Sequence, residues 1–124
     1  LGGRVTLAGR FDSVQEFLRA ADVFVLPSHE EMMSMALLEA MAMGLPVVAS
    51  DIPDNRRLVD SRKHGLLFPK GDLDAIAVSI LLSLDEPAMA SKWGLAARER
   101  VHREFSLSEM AERHIELFDS LSST

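Results

Sequence analysis

Four short apolar runs stand out along the chain. They cover residues 4–9, 23–27, 46–50 and 65–69. Runs of this length and composition, bounded by glycine, proline or polar residues, are typical of strands. The runs at 23–27 and 46–50 are apolar almost throughout, as in parallel strands that are buried on both faces. The pattern therefore predicts four strands.

Residues with a helical period separate these strands. Ser13 and Glu16 fit a capping box, in which a hydroxyl and a carboxylate satisfy amides of the first turn of a helix. A second helix is predicted over 34–43, with Gly44 as its C-terminal stop and Pro46 just beyond it. The polar stretch between the third and fourth strands carries no predicted element.

The pattern of residues 73–121 predicts three helices. Apolar residues recur there at i, i+3, i+4 and i+7, which makes one stripe of an amphipathic helix that ends before Pro87. The stripe consists of Leu73, Ile76, Ala77, Ile80, Leu81 and Leu84. A second helix covers about 89–104. Its residues expected to be buried are Trp93, Ala97 and Val101. Ser106 and Glu109 form another capping box, which opens the last helix.

Strands that alternate with helices imply βα units and a parallel sheet, because parallel neighbours need a crossover connection. The predicted fold class is therefore α/β: a Rossmann-like parallel sheet of about four strands, with flanking helices and a helical C-terminal tail. We expect a single partial domain, with a core of strands and helices over 1–72 and C-terminal helices over 73–121.

Composition narrows the classes of function. The chain has 124 residues, a formal net charge of −6 and no cysteine. The acidic balance argues against nucleic-acid binding, which needs clustered positive charge to release counterions. No apolar run reaches the roughly 18–20 residues that span a bilayer. The lack of cysteine excludes disulfides, thiolate metal sites and cysteine nucleophiles. We expect a cytoplasmic location, with peripheral membrane contact left open for the full-length protein, and a cut end at Leu1.

The segment 27–51 carries the candidate chemistry. A buried strand ends at Ser28, a polar loop follows, and a helix begins near Ser34. Helix N-termini bind phosphate, and ligands of open parallel sheets lie beyond the carboxyl ends of the strands. Glu31 precedes the helix and Glu39 lies about one turn inside it. Carboxylates repel a diphosphate but accept hydrogen bonds from vicinal diols, so sugar hydroxyls are their natural partners.

The full motif is specific. Residues 27–51 are PSHEEMMSMALLEAMAMGLPVVASD, with Glu31 and Glu39 separated by seven residues. This resembles the donor-binding segment of retaining GT-B glycosyltransferases of family 4, which carry Pro-Ser, a Glu, seven residues, Glu-Ala-Met-Ala and then Gly-x-Pro-Val-Val-Ala-Ser-Asp. Segments 20–26, 65–72, 96–101 and 105–106 also resemble the family. The resemblance therefore covers essentially the whole chain and implies part of a GT-B C-terminal domain.

The resemblance implies roles for individual residues. Glu31, the candidate catalytic residue, would contact hydroxyls of the transferred sugar, and Glu39 would contact the ribose. Backbone amides would face the diphosphate and the sugar at Met33, Ser34 and Met35. The loop after the first strand would approach the base with Gly9, Arg10 and Phe11. Retention in this family is usually assigned to a front-side displacement, so no protein nucleophile is implied.

The same resemblance implies the ligand and the missing parts. The donor would be a nucleotide-diphosphate sugar, and the resemblance implies no metal or other cofactor. Family members carry two further βα units before the first strand and an N-terminal acceptor domain. We therefore expect the isolated chain to be inactive and to form homo-oligomers through an exposed sheet edge. The alternative is a non-catalytic α/β assembly domain derived from a glycosyltransferase.

The sequence departs from the family in the ligand loops. Met32 stands where glycine is usual, and a side chain makes a tight turn with positive φ costly. Arg57 stands where the family often has Glu. Simpler interpretations also remain for the other candidates. Glu39 is a helix carboxylate that could be merely solvated, and Ser34 is a good N-cap. The basic residues for which a solvated loop is favoured over phosphate contact are Arg56, Arg57, Arg62 and Lys63.

Overall fold

The structure is a computed structural model that describes residues 5–6, 15–30 and 34–105. Within these residues, helices and strands alternate along the chain up to the third strand, after which two helices follow. The elements are α1 Gln15–Ala20, β1 Phe24–Leu26, α2 Met35–Ala42, β2 Val47–Ser50, α3 Pro53–Leu58, β3 Gly65–Phe68, α4 Leu73–Asp85 and α5 Pro87–Glu104.

The strands form a parallel sheet in the order β1-β2-β3. Phe24 lies opposite Val47, and Val47 lies opposite Gly65, so all carboxyl ends share one edge. The central strand β2 is buried along its whole length, as its apolar sequence predicts. The α/β class and the parallel sheet are therefore confirmed. Three strands are described instead of four: Val5 and Thr6 carry no strand, and the rest of the predicted first strand lies outside the described residues.

The core has a layer on each face of the sheet. In one layer α2 packs against α5 and the strands, and its residues Leu37, Leu38, Ala40 and Met41 are almost fully buried. In the other, Trp93 of α5 packs against β2 and β3 together with half-buried residues of α4. The predicted burial of Trp93, Ala97 and Val101 is confirmed.

The predicted end of α2 at Gly44 is confirmed in detail. Gly44 has a φ of 78°, a left-handed conformation that glycine adopts without a steric penalty. Its amide donates to the carbonyl of Met41 at 3.0 Å, and the amide of Leu45 donates to the carbonyl of Ala40 at 3.1 Å. A Cβ on Gly94 of α5 would lie 2.1 Å from the carbonyl oxygen of Gly44, so the two backbones touch directly.

Four predictions for the helices need correction or comment. The stretch before β3 is not free of regular structure, because it contains α3 with Pro53 in its first turn, a position that favours proline. Helix α4 is present with Asp72 as its N-cap, but Leu73, Leu81 and Leu84 of its apolar stripe are exposed. Helix α5 starts at Pro87. The last predicted helix lies outside the described residues.

Candidate functional site

The carboxyl edge of the sheet is held together by a small polar cluster. The hydroxyl of Ser50, at the end of β2, donates to the carbonyl of Ser28, which follows β1. The Nδ2 of Asn55 in α3 donates to the carbonyl oxygen of Ser50 at 2.9 Å. The Oδ1 of the same amide is buried and has no hydrogen-bond partner among the described residues. The segments that follow β1 and β2 are thus fixed to one another at the edge where α/β sheets receive ligands.

Helix α2 begins at this edge with the predicted N-cap. Ser34 is buried, has extended backbone angles, and accepts a hydrogen bond at Oγ from the amide of Leu37 at 3.1 Å. Its hydroxyl is therefore used by the helix. The first amides of an α-helix have no intrahelical partner, and those of α2 begin at Met35. The backbone at the start of α2, more than the Ser34 side chain, is what can hold an anion.

Glu39 lies one turn further along α2 and is half-buried. It faces a cleft of about 280 Å³ between α1, α2 and α5. The other residues lining this cleft are Gln15, Arg19, Ala42, Met43, Arg98 and His102. Within the described part of the chain Glu39 makes no ion pair, although Arg19 and Arg98 share the cleft. Its carboxylate therefore keeps its acceptor capacity beside two cations.

The structure locates only some of the predicted site residues. Ser34, Met35 and Glu39 all lie on α2 or its cap. The predicted site residues that lie outside the described residues are Gly9, Arg10, Phe11, Glu31 and Met33. The pairing of Glu31 with Glu39 and the effect of Met32 therefore stay predictions.

Sequence reasoning missed Asn55 and Arg19 as neighbours of the site. Asn55 is the third residue of a helix that begins at Pro53, and its polar side chain near the start of that helix is the one indication in the sequence that it belongs to the site.

Arg56 pairs with Asp51, and this hydrogen bond raises the pKa of the Arg56 guanidinium. Arg57 is exposed, and its guanidinium lies 3.6 Å from the carboxylate of Asp54, one turn earlier in α3. This ion pair stabilises the helix.

Across 5–6, 15–30 and 34–105, no cluster of His, Asp and Glu side chains has the arrangement of a metal site. None of the helices in those ranges combines the length and apolar character needed to cross a bilayer.

A three-stranded parallel sheet with flanking helices is the architecture of a Rossmann-like α/β domain. The family described as "Glycosyl transferases group 1" matches residues 1–86. The chain therefore belongs to this family of glycosyltransferases, and its sheet and helices form part of a GT-B fold.

Three relatives illustrate the match. Alpha-maltose-1-phosphate synthase of Mycolicibacterium smegmatis is 36% identical over 115 residues, covering 88% of this chain and 30% of the relative. The Escherichia coli UDP-Gal:alpha-D-GlcNAc-diphosphoundecaprenol alpha-1,3-galactosyltransferase is 36% identical over 86 residues, covering 69% of this chain and 22% of the relative. The sucrose-phosphate synthase structure from Thermosynechococcus elongatus superposes with a TM-score of 0.84 at 36% identity, covering 99% of this chain and 31% of that one. The chain thus spans about a third or less of each relative.

Proposed function

We propose that this chain is the donor-binding part of a retaining glycosyltransferase that moves a sugar from a nucleotide-diphosphate sugar to an acceptor hydroxyl. The observation that carries the proposal is the start of α2. A helix capped by Ser34 opens at the carboxyl edge of the sheet, and Glu39 faces a cleft one turn inside it. A relative named for UDP-Gal, 36% identical over 86 residues, supports a nucleotide-sugar donor.

The proposed roles follow from charge. The first amides of α2, with those of Met33 and Ser34, stabilise the diphosphate, because a helix N-terminus carries partial positive charge. Glu39 accepts hydrogen bonds from the ribose, and Glu31 does so from the transferred sugar. The base lies against Gly9, Arg10 and Phe11. No metal is needed in this scheme.

The transfer step needs little covalent chemistry from the protein. The bond between the anomeric carbon and the diphosphate oxygen breaks, and a bond from the acceptor oxygen forms on the same face of the sugar. The proton of the acceptor hydroxyl passes to the departing diphosphate. The contribution of this chain is to hold the diphosphate and stabilise its growing charge. We expect the isolated chain to bind the donor without transferring its sugar.

Calorimetric titration with UDP, GDP, ADP and their glucose or mannose conjugates tests the proposal. Nucleotides with one of the three bases should bind saturably. Glu39→Ala should lower the affinity for that nucleotide and for its sugar conjugate alike, by about tenfold or more. Glu31→Ala should weaken chiefly the sugar conjugate. Glu99→Ala, which removes an exposed carboxylate from α5, is the matched control. Absence of binding by a folded sample, or equal losses in Glu39→Ala and Glu99→Ala, would refute the donor site.

A second candidate is an assembly domain without catalysis. Two observations favour it: within the described residues β1 pairs with β2 alone, and Leu73 of α4 is 77% exposed. A strand edge without a partner and an exposed apolar helix face each invite association with another copy of the chain. Sedimentation velocity at micromolar concentration should then show a concentration-dependent oligomer. A monomer at every concentration would remove this candidate.

A further inference from the structure

A second cleft lies away from the proposed donor site. It has a volume of about 540 Å³ and is formed by the turn before β3 and the first half of α5. The residues lining it are Arg62, Lys63, Met89, Lys92, Trp93 and Ala96. Small-molecule sites commonly have volumes of about 300–1,000 Å³. Because the turn precedes β3, the cleft lies toward the amino end of that strand, whereas α2 opens at the carboxyl edge.

The charged side chains of this cleft are all cations. Among the residues that the structure describes, Arg62, Lys63 and Lys92 form no ion pair, and no Asp or Glu lines the cleft. The arginines that do pair with carboxylates are Arg56, Arg57, Arg100 and Arg103. In a chain with a net charge of −6, three unpaired cations around one concavity create a local positive potential that favours an anion.

The turn that presents two of these cations is strained. Arg62 has a φ of 68°. Among the residues that the structure describes, it is the single non-glycine residue with a positive φ. Its amide donates to the carbonyl of Gly65 at 2.7 Å, and the amide of Lys63 donates to the carbonyl of Asp60 at 3.1 Å. A side chain in this conformation is sterically less favourable than glycine. The turn thus keeps an arginine where glycine would be less strained, as residues at ligand sites often are.

The wall of the cleft on α5 is apolar. Met89, Trp93 and Ala96 follow one another at helical spacing, so they lie on one face of the helix, and Lys92 lies beside them. Trp93 is 6% exposed, and Met89 and Ala96 are half-buried. A ligand held by the cations would therefore place any apolar substituent against these side chains.

We propose that this cleft binds a phosphomonoester carried on an apolar group. The guanidinium of Arg62 can contact two phosphate oxygens at once, and Lys63 and Lys92 add point charges. The apolar group packs on Met89 and Trp93. A soluble organic phosphate and the headgroup of a phosphatidic acid share this chemistry. This site is additional to the donor site and does not depend on it.

Trp93 makes the proposal directly measurable, because it is the single tryptophan of the chain. The full chain is titrated with phenyl phosphate, inorganic phosphate and phenol, and binding is followed by tryptophan fluorescence and by calorimetry. Phenyl phosphate should bind saturably, inorganic phosphate more weakly, and phenol not at all. Rising salt should weaken binding because the attraction is between charges.

Variants separate binding from folding. Lys92→Ala should lower the affinity for phenyl phosphate about tenfold, which corresponds to the loss of one charge-assisted hydrogen bond. Arg62→Gly should weaken it similarly while the Tm stays the same or rises, because glycine relieves the positive φ. Lys70→Ala, which removes an exposed cation beyond the carboxyl end of β3, should leave the affinity unchanged. Nucleotide binding should also be unchanged in Lys92→Ala.

Vesicles distinguish the two sources of the ligand. If phosphatidylcholine vesicles capture the chain only when they contain phosphatidic acid, and Lys92→Ala abolishes the capture, the source is a lipid headgroup. Binding of phenyl phosphate without vesicle capture assigns a soluble phosphate. If phenyl phosphate produces no heat and no fluorescence change, the proposal is overturned. Equal losses in Lys92→Ala and Lys70→Ala would also overturn it.

Discussion

Helices α2 and α4 have similarly apolar sequences, yet they lie in opposite environments. Helix α2 is enclosed by α5 and the sheet, and its leucines have no exposed surface. Helix α4 exposes Leu73, Val78, Leu81 and Leu84 by 47% to 77%, and its one fully buried residue is Ser83. Apolar periodicity therefore determines which face of a helix can be buried, whereas the available partners determine whether it is.

The sharpest test of this contrast compares two leucines. Leu38→Ala in α2 removes a fully buried side chain and should lower the free energy of unfolding by about 2–5 kcal/mol. Leu81→Ala in α4, at a position 57% exposed, should change it by no more than about 0.5 kcal/mol. Urea denaturation of both variants measures the difference. Similar losses in the two variants would mean that α4 is packed in solution.

The tight packing of α2 can be tested through α5. Gly94→Ala should lower the free energy of unfolding by about 1–3 kcal/mol, because its Cβ would lie 2.1 Å from the carbonyl oxygen of Gly44. The higher helix propensity of alanine should not compensate. Ser91→Ala, at an exposed position of the same helix, is the control and should be neutral or slightly stabilising. A stable Gly94→Ala variant would show that α5 can move away from the turn after α2.

A smaller effect is expected where α5 contacts the turn before β3. His64 is buried, and its Nδ1 accepts a hydrogen bond from the amide of Asp60 at 3.1 Å. Burial, then the charge of Arg100, lowers the pKa of His64, with Lys63 adding to this and Asp60 and Glu104 opposing it. The unfolded chain therefore binds more protons between the folded pKa and about 6.5, and stability rises with pH across that window.

Urea denaturation at several pH values between about 5 and 7.5 measures how the free energy of unfolding depends on pH. Stability should be complete above the unfolded pKa and should fall as pH drops through the folded pKa. His64→Gln should flatten the dependence, and His102→Gln, at an exposed position of α5, should preserve it. An unchanged slope in His64→Gln would mean that other groups titrate.

The smallest change in stability is expected on the exposed face of α4, where self-association is the informative measurement. Leu81→Glu should alter the free energy of unfolding by about 0.5 kcal/mol or less, yet it should weaken any oligomer. Leu95→Glu, on α5, is the matched control because both leucines are 57% exposed. Sedimentation velocity compares them. Equal effects of the two variants would show that α4 has no special part in association.

Much of the fold could be predicted because local chemistry and tertiary structure agree. Ser34 caps α2, Gly44 ends it, and the buried side of α5 follows the helical period. Helix α3 was missed because six residues are too few to establish a period, although Pro53 marks its start. The exposure of α4 could not be predicted, since the sequence of a helix does not specify its neighbours.

The candidate site was only partly predictable. The motif located Glu39 and the start of α2 by chemistry that is local to one helix. It did not indicate Arg19 and Arg98, which reach the same cleft from α1 and α5, because contacts between distant segments depend on how helices pack. Asn55 was missed for a different reason: its amide bonds to Ser50, five residues earlier, from a short helix that the sequence did not predict.

The contacts among Ser28, Ser50 and Asn55 bear on the thermodynamics of ligand binding. They fix the ends of two strands to each other and to α3. A ligand arriving at this edge therefore has little backbone to order, and the conformational entropy that binding normally costs has been lost during folding. Affinity at such a preorganised edge depends mainly on the groups that the ligand contacts.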